Sequence, residues 1–138
     1  MRDKKLTTLV VLLAILSVGH TFDHVARGDL RWPLTGESVA FIIVTLTIYA
    51  VLGVSFFLHF TEKVGPLFWC FFGGGGIAIT WAGHFSPFTD QSPLVICRAY
   101  QSAAAGWFAV SWLVALTVTL FVIVVYAEYL WARGLPAS

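Results

Sequence analysis

Four stretches of this chain are apolar over lengths that match a bilayer, and only short connections separate them. They cover residues 6–26, 38–60, 66–85 and 103–131. A helix rising 1.5 Å per residue crosses about 30 Å of hydrocarbon in about 20 residues. The second and third stretches reach that length cleanly, and the fourth is long enough to tilt or project beyond it. The expected fold is a single all-α membrane domain, an antiparallel four-transmembrane-helix bundle.

Composition supports that reading. Hydrophobic residues make up 59% of the 138 residues and charged residues 11%, whereas soluble domains sit near ~45–50% apolar. Mean hydropathy is +0.86. The net charge of +1 marks no nucleic-acid partner, because Asp29 and Glu37 offset Arg27 and Arg31. Cys70 lies in an apolar stretch and Cys97 in a connection, so no disulfide framework is expected. The start, MRDKKLTTLVVLLAILSVGH, has the basic and apolar regions of a signal peptide. It lacks a small-x-small cleavage site, and the helical pattern continues through HTFDHVARG, so it reads as the first span.

That first span is the informative one. Its charge-free part ends at Gly19, too early to cross from Leu6. The helix must take in His20, Asp23 and His24, which places His20 about 5 residues, roughly 8 Å, inside the far boundary. Residues 27–37 contain Gly28, Pro33 and Gly36 and read as a turn-rich loop. TEKVG before Pro66 reads as a tight turn, and 86–101 is the longest loop, with LVIC able to dip into the interface. The terminal GLPAS is expected to fray. Arg2, Lys4, Lys5, Lys63 and Arg133 fall on one side, and Arg27, Arg31 and Arg98 on the other. The Lys/Arg bias favours both termini in the cytoplasm. The expected location is a bacterial cytoplasmic membrane with HTFDH facing outward. Trp32, Phe85 and Tyr100 suit the outer interface, and Trp69, Tyr129 and Trp131 the inner one.

His20, Asp23, His24 and Arg27 follow i, i+3, i+4, i+7 spacing and share one helix face. Ionisable groups in a span usually face the bundle interior. His84 ends the third span and, with alternating topology, lies at the same level. Asp90 and Arg98 sit in the adjoining loop. The expected site is therefore a divalent-metal centre, zinc for instance, with His20, His24, His84 and Asp23 as ligands; Asp90 is a further candidate ligand or outer partner. Zinc takes three protein ligands plus water in catalytic sites, and iron or copper suits imidazole as well. A haem held by His20 and His84 is the weaker alternative. Without metal, His20 or His24 would move protons under the influence of Asp23. Arg27 is the candidate for a substrate carboxylate or phosphate. The structural alternative pairs Asp23 with Arg27 and uses the histidines as caps.

Trp81, Trp107 and Trp112 are candidates to line an apolar chamber for a lipid or other membrane-soluble substrate. His59, Glu62 and Glu128 form a second polar set at the inner end. Thr45, Thr47, Tyr49, Ser111, Thr117 and Thr119 would join the two sets as a proton path or serve as helix glue. Gly73–Gly76 is read as a close-packing surface, with Ala103–Gly106 as another, rather than as a helix break. It is no phosphate loop, lacking the following Gly-Lys-Ser/Thr. Phe56, Phe57, Phe60, Phe68, Trp69, Phe71 and Phe72 are expected to face lipid or to line an aromatic pocket for a ring-shaped or isoprenoid ligand. The leading expectation is a metal-dependent enzyme acting on a membrane-soluble substrate. The rivals are a transporter, channel or proton conductor, and an accessory subunit of a membrane complex; homo-oligomerisation would be needed for a wide pore.

Overall fold

A computed structural model describes residues 3–134, and the last four residues of GLPAS lie outside them. The chain is all-helical over the described residues. Its elements are α1 (Lys4–Arg27), α2 (Gly36–Phe60), α3 (Pro66–Thr80) continuing into a π-helical turn (Trp81–Phe85), the short α4 (Pro93–Arg98) and α5 (Ala103–Ala132). Local signals set the boundaries. Asp3 accepts from the Leu6 amide at 2.8 Å to open α1. Gly28, at φ 93°, closes it in the left-handed conformation. Thr35, Ser92 and Ser102 cap α2, α4 and α5, and Pro66 occupies the first turn of α3.

Among the described residues three helices, α1, α2 and α5, are long and apolar enough to cross a membrane, which marks a membrane protein. The expected fourth span differs. Residues 66–80 are α-helical and 81–85 are not, so the regular helix rises only about 22 Å before the hydrogen-bond pattern changes. The Ser86 amide reaches the Trp81 carbonyl, five residues back, at 2.9 Å. Such π turns insert a residue into a helix and rotate the residues beyond it.

Helix α5 is the axis of the fold and packs against α1, α3 and α4. Cross-contacts define directions. Trp112 Nε1 donates to the Leu16 carbonyl and Tyr126 Oη to Asp3, so α5 runs antiparallel to α1. The core is apolar: Leu6, Val10, Leu13, Trp69, Leu116, Leu120, Ile123 and Ala127 are all buried. In lipid, association rests on close packing rather than on transfer of apolar groups out of water, so small residues matter. A Cβ at Gly73 would stand 2.6 Å from Val124, and one at Gly76 2.8 Å from Leu120. Helix α3 runs unbroken through the four glycines, as a close-packing surface requires. Within Ala103–Gly106, the other small surface, Gly106 makes a close approach of its own: it seats α4, where a Cβ would collide with the Cys97 carbonyl oxygen. Cys97, expected in a loop, is thus helical, and neighbouring Ile96 is fully buried.

Helix α2 is the outlier. Leu52 is its only buried apolar residue. Its links to α1 are polar: Tyr49 Oη to Thr21 Oγ1 at 2.8 Å and His59 Nε2 to Thr7 Oγ1 at 3.0 Å. An open apolar groove of about 410 Å³, lined by Val51, Val54, Leu58, Phe68, Phe71 and Phe72 among others, separates it from α3. Of the six hydroxyl residues named for a path or for helix glue, Thr47, Thr117 and Thr119 each donate to a carbonyl of their own helix, and Tyr49 bonds to α1.

Candidate metal centre

Two helix ends build the site. In α1 the i, i+4 spacing places His20 and His24 one above the other in the last two turns. The π turn at the end of α3 turns His84 inward, where it is buried. His20 Nε2 lies 3.1 Å from His84 Nε2 and 3.2 Å from His24 Nε2. One ligand atom from each ring fits within 4.8 Å of the others, the one such three-residue group among the described residues. For comparison, two nitrogens about 2.0–2.1 Å from a tetrahedral zinc are about 3.3 Å apart.

The outer nitrogens decide what the inner ones are. His24 Nδ1 is 2.5 Å from Asp29 Oδ2. A carboxylate only accepts, so Nδ1 carries the hydrogen and Nε2 is left as a lone pair. His84 Nδ1 donates to the Gln91 carbonyl at 3.0 Å, with the same consequence. His20 lies between two acceptors. Its Nε2 hydrogen can serve them only by sharing, and its Nδ1 is then a buried acceptor. That Nδ1 has no hydrogen-bond partner, and Asp23 Oδ2 lies 4.0 Å away. A cation among the three Nε2 atoms would accept all three lone pairs and would leave the His20 hydrogen on Nδ1, on the side of Asp23. Carboxylate and carbonyl partners behind ligating histidines are the usual outer support of a metal site.

Asp23 is itself held from two sides. Arg27 contributes Nε at 3.1 Å and Nη2 at 3.0 Å to Oδ2. Tyr100 Oη donates to Oδ1 at 2.6 Å. Arg27 Nη1 also donates to Gln91 Oε1. Its Nη2 comes 3.1 Å from His24 Nδ1, but that nitrogen already carries a hydrogen, so this is proximity rather than a bond. Burial, with the hydrogen bond to Asp23 and its charge adding to it, pushes the Tyr100 hydroxyl up to about 12. Tyr100 therefore stays a donor through ordinary pH.

Charges of both signs surround the cluster: Asp23 and Asp29 face it, Arg27 is bound to Asp23, and the Arg31 guanidinium lies beside Gly28 at the end of α1.

The structure brings His20, His24 and His84 together, with Asp23 behind His20 rather than among the three nitrogens. Arg27 has a side chain only 4% exposed and committed to Asp23 and Gln91, so it does not reach outward for a headgroup. Asp90 is exposed and its neighbour Gln91 takes the expected place. No tryptophan chamber forms. Trp81 and Trp107 are 55% and 58% exposed. Trp112 packs on Gly19, where no Cβ would fit, and spends its N–H on Leu16. At the other end His59 is fully buried between Thr7 and Trp69. Its backbone carbonyl accepts from Glu62, which turns the chain at φ 58°, while Glu128 is exposed on α5. Trp69 is thus a core residue and not an interfacial anchor.

Three site residues escape a reading of sequence alone. Asp29 had a usable signal: it follows the helix-ending Gly28, and the tight turn returns it to His24. Gln91 and Tyr100 had none, since their partners lie 64 and 77 residues away. No protein-family model matches the chain, and no curated protein or solved structure is similar to it.

Proposed function

We propose that the chain is a membrane-embedded metal protein, in which His20, His24 and His84 bind one divalent ion such as zinc through Nε2. The observation that carries this is the anchoring of the outer nitrogens of His24 and His84, which leaves lone pairs converging on His20. Three protein ligands leave a fourth position open, the pattern of catalytic rather than structural zinc. An ion held there by His20, His24 and His84 would supply Lewis-acid chemistry, activation of water or polarisation of a carbonyl. The reading is therefore a metal-dependent enzyme. Its substrate is a membrane-soluble molecule, because the helices around the site present apolar residues outward. Haem fits poorly. The His20 and His84 ring centroids are 4.9 Å apart, and His24 sits 4.6 Å from His20, which leaves no gap for a macrocycle.

In this reading α3 and its π turn form the fourth crossing, so the bundle is antiparallel with both termini on one side. Lys4, Lys5, Lys63 and Arg133 cluster at the end opposite the histidines. The Lys/Arg bias then turns the metal centre to the outer face. Metal analysis of detergent-purified protein tests the proposal. About one equivalent of zinc, copper, iron or another transition metal is expected, and it should be lost in His24→Ala and His84→Ala. Protein that carries no metal and takes up neither zinc nor cobalt on titration overturns it.

A further inference from the structure

The two chain segments that flank α4 both reach into the histidine cluster. Ahead of α4, the Gln91 carbonyl accepts from His84 Nδ1, and its side chain accepts from Arg27. Behind it, Tyr100 Oη holds Asp23 Oδ1 at 2.6 Å. Helix α4 itself is pinned to α5, with Ile96 fully buried and the Cys97 backbone against Gly106. The six-residue helix thus acts as a bracket fixed at its middle, with one hand on His84 and the other on the carboxylate that faces His20.

We infer that Tyr100 is a positioning residue of the metal centre, acting through Asp23 on His20, and that Gly106 sets its reach by seating α4. This rests on the metal-centre reading. A His20 whose Nε2 binds an ion has its hydrogen on Nδ1, and Asp23 Oδ2 lies 4.0 Å from that nitrogen. Arg27 holds this oxygen and Tyr100 holds the other, so the two together set how the carboxylate faces His20. Tyr100 touches neither the ion nor a substrate. Losing such an outer partner typically weakens metal binding by ~10–100-fold.

The test uses the full chain in detergent micelles with Co²⁺ as the probe, reading both affinity and the visible ligand-field spectrum. Tyr100→Phe removes one hydroxyl and keeps the ring. Tyr126→Phe is the matched control, since Tyr126 also donates to an aspartate, Asp3, at 3.1 Å, at the far end of the same helix pair. Tyr100→Phe is expected to bind Co²⁺ ~10–100-fold more weakly with an altered spectrum. Gly106→Ala should shift both readouts in the same direction, and Tyr126→Phe should move neither. If wild-type protein binds no Co²⁺, the metal centre itself fails. If wild type binds but Tyr100→Phe matches it in affinity and spectrum, or binds more tightly, the inference about Tyr100 alone is overturned. Equal weakening by Tyr126→Phe overturns it too, because the effect would then be general loosening.

Discussion

The two ends of the bundle use histidine in opposite ways. At the end where α1 begins, His59 is fully buried, and both ring nitrogens are matched. Trp69 Nε1 donates to Nδ1 at 3.3 Å, so Nε2 carries the hydrogen and meets Thr7 Oγ1 at 3.0 Å. The Thr7 hydroxyl passes its own hydrogen to the Asp3 carbonyl. Every donor has an acceptor, and the ring is a fastener between α1, α2 and α3. At the end where α1 finishes, His24 and His84 have their Nδ1 atoms equally well matched, but their Nε2 atoms face a third imidazole. Burial alone therefore does not distinguish a ligand from a core histidine. What distinguishes them is whether the second nitrogen has a complementary partner or competes with another lone pair.

The sharpest way to break this contrast is alanine replacement at both ends. His84→Ala should abolish stoichiometric metal, because only two imidazoles are left to hold the ion. His59→Ala should keep the metal and lower stability by about 1–3 kcal/mol, the cost of leaving the Trp69 N–H unmatched. Zinc should then raise the melting temperature of wild type and His59→Ala but not of His84→Ala, since only a ligand that binds the folded state stabilises it. Metal retained in His84→Ala would erase the distinction drawn between the two ends.

A second comparison lies within the glycine run. Gly73 and Gly76 touch α5, whereas Gly74 and Gly75 have open space beside them. Gly73→Val should cost about 1–3 kcal/mol by overpacking against Val124 and the Leu120 carbonyl. Gly74→Ala should be neutral or gain up to about 1 kcal/mol from helix propensity. Denaturation in mixed micelles measures both. Equal costs would mean that α3 does not meet α5 through this face.

The smallest effect is a pH dependence at the bracket. The Tyr100 hydroxyl is raised from 10.0 to about 12. The folded state thus favours its protonated form, and the stabilisation is fully present below pH 10. It fades as the pH rises from there through about 12. Ultraviolet titration of phenolate should show one late-ionising tyrosine that is missing in Tyr100→Phe. If the wild-type and variant curves coincide after subtracting one ordinary tyrosine, the Asp23 hydrogen bond is absent.

Much of the site could be read before any coordinates. The i, i+4 pair in HTFDH, the need to extend the first span through it, and the position of His84 at the end of the third stretch together imply three histidines at one level. Trp112 shows where such reading stops. Its depth was legible, yet its pairing with Gly19 and Leu16 depends on how α5 lies across α1, which no local pattern records. Trp69 failed in the same way, because an aromatic near a helix start suits an interface and a core equally. Asp23 and Arg27 were legible as a pair, and their third partner, Tyr100, was not.

What the sequence determines by itself is the set of long helices, though not α4 or the π turn, and the level of each charged or imidazole group along them. Rise per residue and the cost of placing polar groups in lipid are local quantities, fixed by composition and spacing. Only the tertiary structure decides which nitrogen faces which. That depends on the π turn that rotates His84, on α4 seated at Gly106, and on Asp29 and Gln91 binding the outer ring atoms. Helix rotation and ring tautomer are set by contacts between segments far apart in the chain, and each is worth only a few hydrogen bonds.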